Sequence, residues 1–171
     1  SDLELVPLAR SPFDTLWVDR PAAPAGLIRE MPVDISGESS AAKRQRAAAV
    51  LAEHRADYLA VTLPDNIPWL LNVRGSDIPF CPVPLSFALL SREGAVEWFV
   101  DDSKLNALPD AVRNAFTIAP QEAFIPRCRQ LAQGKRVMID PDSAPVALRF
   151  AVEPQGEIIW QTDPITLMKA T

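Results

Sequence analysis

A single histidine, two cysteines and six glycines in 171 residues leave little material for most kinds of active site. The glycines stand apart, without the spacing that cradles a phosphate. None flanks Ser39, Ser76 or Ser86 in the manner of a nucleophile elbow. Cys81 and Cys128 are far apart in sequence, and a disulfide framework or a thiolate zinc site needs more than two; they read as ordinary thiols. His54 ends a predicted helix, where a cation is mildly favoured, and Glu53 and Arg55 point to other faces. No run of about 18 apolar residues occurs, so no membrane-spanning helix is expected. Positive charge is also short: the net charge of -5 offers nucleic acid or anionic lipid no general attraction. Ser1-Asp2-Leu3-Glu4 has neither the basic flank nor the apolar stretch of a signal peptide, and the expected location is cytoplasmic.

What is plentiful is proline, with 17 residues. Proline breaks helices and central strands, so its positions should mark ends, edges and irregular connections. Residues 1–35 carry Pro7, Pro12, Pro21, Pro24 and Pro32 and read as an extended arm. Within it Phe13–Trp17 forms a short helical turn, and Trp17 anchors the arm on a neighbouring surface. Ser39 or Ser40 caps a helix over Ala41–Arg55. Its inner face carries Ala47, Val50, Leu51 and His54, while Lys43, Arg44 and Arg46 lie mostly elsewhere. Tyr58–Thr62 is a buried strand, and Pro64 opens a short helix that ends near Gly75. Leu85–Leu90 and Val96–Val100 are strands of a hairpin turned at Arg92-Glu93-Gly94. A capped helical segment after Asp101-Asp102-Ser103, a strand at Phe116–Ile118 and a helix over Gln121–Gln133 follow. Then come a strand at Val137–Asp140, a helix over Ser143–Val152 and a last strand at Ile158–Trp160. Strands alternating with helices around one hairpin predict an α/β domain over 36–162, a mixed sheet flanked by helices. Residues 163–171 read as the start of a linker.

Two places hold enough polar residues for chemistry. Asp101 and Asp102 end one predicted strand, and Asp140 and Asp142 end another. Converging strand ends of this kind can hold divalent metals, but acidic residues after strands also cap helices and form turns. The second place is Trp69-Leu70-Leu71-Asn72-Val73-Arg74-Gly75-Ser76-Asp77-Ile78-Pro79, where an apolar helix runs into a polar turn. Arg74 and Asp77 are close enough to pair, and Asn72 and Ser76 can satisfy turn backbone groups. Two readings stand: a turn that orders the following loop, or a polar lip shown to another domain or a substrate.

That segment, followed by Pro79-Phe80-Cys81-Pro82-Val83-Pro84 and the apolar Leu85–Ala88, resembles a motif of the aminopeptidase P branch of the creatinase/methionine-aminopeptidase superfamily. Asp14–Trp17 with Asp19-Arg20-Pro21, Gly37–Ala41 with Lys43, and Asp163–Ala170 are similar to further family stretches in the same order. Pro84 stands where an aromatic residue is more usual, and Cys81 where a polar one is common. The resemblance implies a creatinase/prolidase N-terminal-like fold with ribonuclease H-like topology and no nuclease activity. It implies the middle domain of a three-domain Xaa-Pro aminopeptidase. The catalytic domain of such an enzyme binds two metal ions, usually manganese, through two Asp, one His and two Glu, none of which maps here. The fragment alone is expected to be inactive. Asn72, Arg74, Ser76 and Asp77 would form a substrate-access lip. The expected partners are the first and catalytic domains of the same parent, its peptide substrate and a second parent copy. Trp17, Phe13 and the loop near Phe80 would lie exposed once those neighbours are absent. The competing expectation is a stand-alone interaction domain of the same fold.

Overall fold

The computed structural model of the chain describes residues 4, 6, 8 and 11–170. Pro7, Ser1-Asp2-Leu3 and Thr171, which figure in the arm, the chain start and the linker expected above, lie outside the described residues. The elements in chain order are α1 (Phe13–Leu16), β1 (Arg29–Glu30), α2 (Val33–Ser36), α3 (Ser40–Glu53), β2 (Tyr58–Val61), α4 (Asn66–Leu71) and β3 (Val73–Arg74). They continue with β4 (Phe87–Ser91), β5 (Val96–Phe99), α5 (Asp110–Arg113), β6 (Thr117–Ala119), α6 (Phe124–Leu131), β7 (Arg136–Ile139), α7 (Val146–Val152), β8 (Glu157–Trp160) and α8 (Pro164–Lys169). A 3-10 helix at Asp102–Ala107 joins β5 to α5.

Six strands form one sheet in the order β6-β5-β4-β2-β7-β8. Only β4 runs antiparallel to its neighbours; β2–β7, β7–β8 and β5–β6 are parallel pairs. The sheet is therefore mixed, with helices on both faces, as the alternation of elements requires. Period-2 alternation divides the strand residues between two cores. Leu59 and Val61 of β2, Leu90 of β4, Trp98 of β5 and Met138 of β7 point to the face covered by α3, α4 and α8. Ala60, Leu89, Phe99, Val137 and Ile139 point to the opposite face, where α6 and α7 supply Phe124, Cys128, Leu148 and Val152.

Of the two serines proposed as the cap of α3, Ser39 takes the part, its hydroxyl accepting from the Ala42 N–H at 3.1 Å. The predicted inner face needs correction. Lys43 is buried together with Ala47 and Leu51, one and two turns on, whereas His54 is exposed at the C-cap. Residues 26–36 are not a separate arm either. Ile28 is fully buried in the first core, and β1 pairs with β3 in a two-stranded ladder. At the other end, residues 163–169 fold onto the domain as a helix. The Asp163 carboxylate caps the Ile165 N–H at 2.8 Å, Pro164 occupies the first turn, and Pro164 and Ile165 are buried. Proline at that position suits a helix start as well as a linker.

Candidate functional site

The segment singled out in sequence, and the loop it opens, runs from Trp69 to Ser86 along one end of the first core. Helix α4 stops because Asn72 adopts the left-handed conformation, with φ 54°, which asparagine tolerates better than most residues. The Asn72 amide is buried, and both its oxygen and its nitrogen are bonded. Its Oδ1 accepts from Lys43 Nζ at 2.7 Å, and its Nδ2 donates to the Glu38 carbonyl at 2.8 Å. Lys43 also donates to the Trp69 carbonyl at 3.1 Å and lies 4.4 Å from the centre of the Trp69 ring. Burial lowers the Lys43 pKa; Glu38 works against that shift, while Arg74 and Arg46 add to it.

Past β3 the backbone is packed so closely that only glycine fits. A Cβ on Gly75 would lie 2.5 Å from the Pro84 nitrogen, and one on Gly26 would lie 2.5 Å from the Ser76 carbonyl carbon. Asp77 holds this crossing together. Its Oδ1 accepts from the Gly26 N–H at 2.9 Å. Its Oδ2 accepts from the Leu85 N–H at 2.7 Å and from Lys104 Nζ at 2.7 Å. The side chains of Asp77 and Lys104 are 0% and 4% exposed, so this is a buried ion pair. At the far end Ser86 Oγ accepts from the Trp98 indole N–H at 3.1 Å.

The four residues expected to form a lip therefore divide. Asn72 and Asp77 point inward. Ser76 is exposed, but its hydroxyl donates to the Leu27 carbonyl at 3.2 Å. Arg74 is half-buried, and its Nη1 donates to the carbonyls of Val73 at 2.7 Å and Pro68 at 3.2 Å. The expected Arg74–Asp77 pair does not form, because Asp77 pairs with Lys104 instead. What the crossing presents outward is Ile78-Pro79-Phe80-Cys81-Pro82, a turn closed by a bridge between Ile78 and Cys81. Phe80 at its tip is fully exposed and has a positive φ of 62°. A left-handed conformation at an aromatic residue costs about 1–2 kcal/mol. Phe13 and Trp17 are also exposed, and Arg20 lies 5.9 Å from the centre of the Trp17 ring. Trp17 thus packs into neither core among the described residues.

The acidic residues do not form a metal site. Strands β5 and β7 are separated by β4 and β2, so their ends lie roughly 14 Å apart at about 4.8 Å per strand. Asp101 caps Ser103, and Asp102 pairs with Arg113 at 2.5 Å. Asp140 accepts from the Asp142 and Asp163 N–H groups, both at 2.9 Å. Among the described residues no group of three or more His, Cys, Asp or Glu side chains is placed to hold a metal ion.

Sequence reasoning missed Lys43, Lys104 and Gly26. Lys43 carried a usable signal, since it lies four and eight residues before Ala47 and Leu51 on one helical face.

The profile of the Creatinase/Prolidase N-terminal domain matches residues 19–171. A probable Xaa-Pro aminopeptidase P of Metarhizium acridum is 34% identical over 134 residues, covering 75% of this chain and 21% of its own length. Xaa-Pro aminopeptidase 1 of Dictyostelium discoideum is 36% identical over 137 residues, covering 79% of this chain and 21% of its own. The chain thus spans about a fifth of the length of these curated relatives. Among solved structures, the X-prolyl aminopeptidase of Caenorhabditis elegans superposes with a TM-score of 0.84 at 24% identity, over 97% of this chain and 28% of that one. The Creatinase/Prolidase N-terminal domain of a Streptococcus pyogenes X-Pro dipeptidase superposes with a TM-score of 0.51 at 13% identity, over 77% of this chain and 99% of that one.

Proposed function

The chain belongs to the creatinase/prolidase N-terminal domain family, and on that premise we propose that it is a non-catalytic domain of a metal-dependent Xaa-Pro aminopeptidase. The parent would release the N-terminal residue from peptides with proline in second position. The observation that carries this reading is the match, along three quarters of the chain, to one fifth of proteins named as Xaa-Pro aminopeptidases.

A pair of divalent metals, usually manganese in the resembling enzymes, does not fit the described residues of this chain. In the proposal it belongs to the catalytic domain, and no step of the reaction is assigned here. The domain's part is to shape access and support assembly, including a homodimer of the parent. The rigid crossing at Asp77 supports this role, because it holds the Ile78–Pro82 turn and the half-buried Arg74 on one side of the domain. An exposed aromatic on a strained, well-anchored turn is a contact waiting for another surface. A cytosolic location is supported by the C. elegans protein, described as a cytosolic enzyme.

The test is hydrolysis of a Xaa-Pro-Xaa tripeptide by the full-length parent. Arg74→Ala is expected to lower kcat/KM at least several-fold with the melting temperature retained. Unchanged turnover removes the lip. Hydrolysis by the 171-residue chain alone overturns the non-catalytic assignment.

A further inference from the structure

Strand β8 is the last strand on one side of the six-stranded sheet, and its outer edge has no neighbouring strand among the described residues. The parallel ladder with β7 decides which backbone groups that edge offers. The Glu157 N–H donates to the Lys135 carbonyl at 2.9 Å, and the Gln161 N–H donates to the Ile139 carbonyl at 3.2 Å. Successive residues of a parallel strand turn their N–H and C=O groups to opposite sides. With Ile158 beside Val137 and Trp160 beside Ile139, the residues Glu157, Ile159 and Gln161 bond to β7. Ile158 and Trp160 turn their backbone groups outward, where no described residue meets them.

Natural sheets blunt such an edge with proline, lysine or a bulge. The opposite edge is treated in this way, since β6 has only three residues and Pro120 follows it. β8 reads Glu157-Ile158-Ile159-Trp160 and has none of these devices. Trp160 is 48% exposed, and Val146 and Phe150, one turn apart on α7, are 64% and 61% exposed. Val146 and Arg149 line the same small cleft as Trp160, so this face of α7 borders the edge. The face also carries both signs of charge, Arg149 and Glu153, paired four residues apart.

We propose that β8 pairs antiparallel with β8 of a second copy of this chain, about a twofold axis through Ile159. The edge is complementary to itself in that register. Ile158 stands opposite Trp160 of the second copy, and their outward N–H and C=O groups bond reciprocally. The side chains of this pair lie on the α7 face, an aromatic against a β-branched residue, a combination that stabilises cross-strand pairs. Glu157 meets Gln161, so no like charges oppose. The two α7 helices run antiparallel, and the Arg149–Glu153 order of charges on one meets the reverse order on the other. Self-complementarity of backbone, side chains and charge is what a twofold interface requires, and an unrelated partner would have no need of it. The pairing names a surface for the assembly role proposed above and rests on that part of the reading. Its failure leaves the hydrolysis test untouched.

The 171-residue chain is followed by sedimentation equilibrium and by residue-resolved amide exchange over a concentration series. A dimer of micromolar affinity is expected. The Ile158 and Trp160 amides should exchange freely in dilute protein and gain about tenfold protection or more in the dimer. The Ile159 amide, bonded to β7, should be protected at every concentration. In a Cys81→Ser background, Ile159→Cys should crosslink the copies under mild oxidation, because residues opposed across the axis lie about 4.5 Å apart at Cα. Glu157→Cys should not crosslink, its two copies lying about 14 Å apart. Trp160→Pro removes an outward N–H and no ladder bond, so the sheet tolerates it and the protein should be monomeric. Trp160→Lys keeps the backbone intact and should separate the copies by charging the edge. A monomer up to about 1 mM overturns the proposal. So does a dimer that survives both Trp160 variants, which places the contact elsewhere, or one in which Ile159→Cys fails to crosslink. Protection of the Ile158 and Trp160 amides in a monomeric full-length parent shows another part of the parent covering the edge and also overturns it.

Discussion

Replacing Asp77 by alanine tests the crossing that organises the candidate site. The substitution leaves the Lys104 ammonium buried without a counter-charge and strips the Gly26 and Leu85 N–H groups of their acceptor. Removing one partner of a buried pair costs about 3–5 kcal/mol. Each orphaned N–H adds about 1–3 kcal/mol where water cannot reach it, so 3 kcal/mol is the floor. Domains of this size carry about 5–15 kcal/mol in total. The melting temperature should therefore fall by about 6–20 °C, taking about 2–4 °C per kcal/mol. Urea unfolding followed by tryptophan fluorescence reads the free energy directly. Asp77→Asn should also destabilise, because its amide must turn a donor either toward the Gly26 N–H or toward the Leu85 N–H and Lys104. The decisive variant is Asp77→Ala combined with Lys104→Met, which removes both charges. It should be less destabilised than the sum of the two single variants by about 2 kcal/mol. A loss below about 1 kcal/mol in Asp77→Ala, or strict additivity in the cycle, would refute the claim that this pair holds the loop.

Three further outcomes are expected. Burial lifts the Asp163 carboxyl to about 6, with Asp140 adding to the rise; the Asn66 amide and the Ile165 N–H pull the other way. A carboxyl whose folded pKa exceeds its unfolded value of about 3.9 destabilises the fold once ionised, so this penalty is absent below about pH 4 and complete above about pH 6. Between those limits wild type should lose about 2–3 kcal/mol relative to Asp163→Asn in urea titrations, and parallel curves would disprove it. Phe80→Gly should relieve left-handed strain and raise stability by up to about 1 kcal/mol, while lowering turnover in the parent. A stabilised variant with full turnover would leave Phe80 without a role there. With a thiol reagent at pH 8, Cys81 should react in the folded protein and Cys128 only on unfolding, since burial, chiefly, pushes the Cys128 pKa up to about 12. Two fast thiols before unfolding would contradict the burial of Cys128.

The elements legible in sequence are those whose pattern is local. Ser39 before Ala41–Arg55, the short apolar run of Tyr58–Thr62 and the turn at Arg92-Glu93-Gly94 each specify structure within a few residues, and together they suffice for a mixed α/β sheet. What escaped depends on distant partners. Lysine is a surface residue by default, and nothing near Lys104 shows that Asp77 lies beside it. Gly26 looked like part of an arm because the backbone it touches belongs to Ser76. Pro164 suits a linker or a first helical turn equally well. Only the buried Ile165 and the bond from Asn66 Nδ2 to Asp163 at 2.7 Å decide between them. For the Trp69–Ile78 segment the sequence left two readings open, a turn that orders the loop or a polar lip; Asn72 and Asp77 direct their polarity inward, to Lys43, Glu38, Gly26, Leu85 and Lys104.

The burial of Ile28 bears on the order in which the chain can be completed during synthesis. Its N–H donates to the Lys104 carbonyl at 2.8 Å, and strand β1, which follows it, pairs with Val73 and Arg74. All these partners leave the ribosome later. At about 5–20 residues per second, the stretch from Ile28 to Lys104 takes about 4–15 s to emerge. For that time Ile28 is an apolar residue whose place of burial does not yet exist. The five prolines of residues 1–35 then gain a second meaning: they keep the waiting segment from pairing prematurely as a strand.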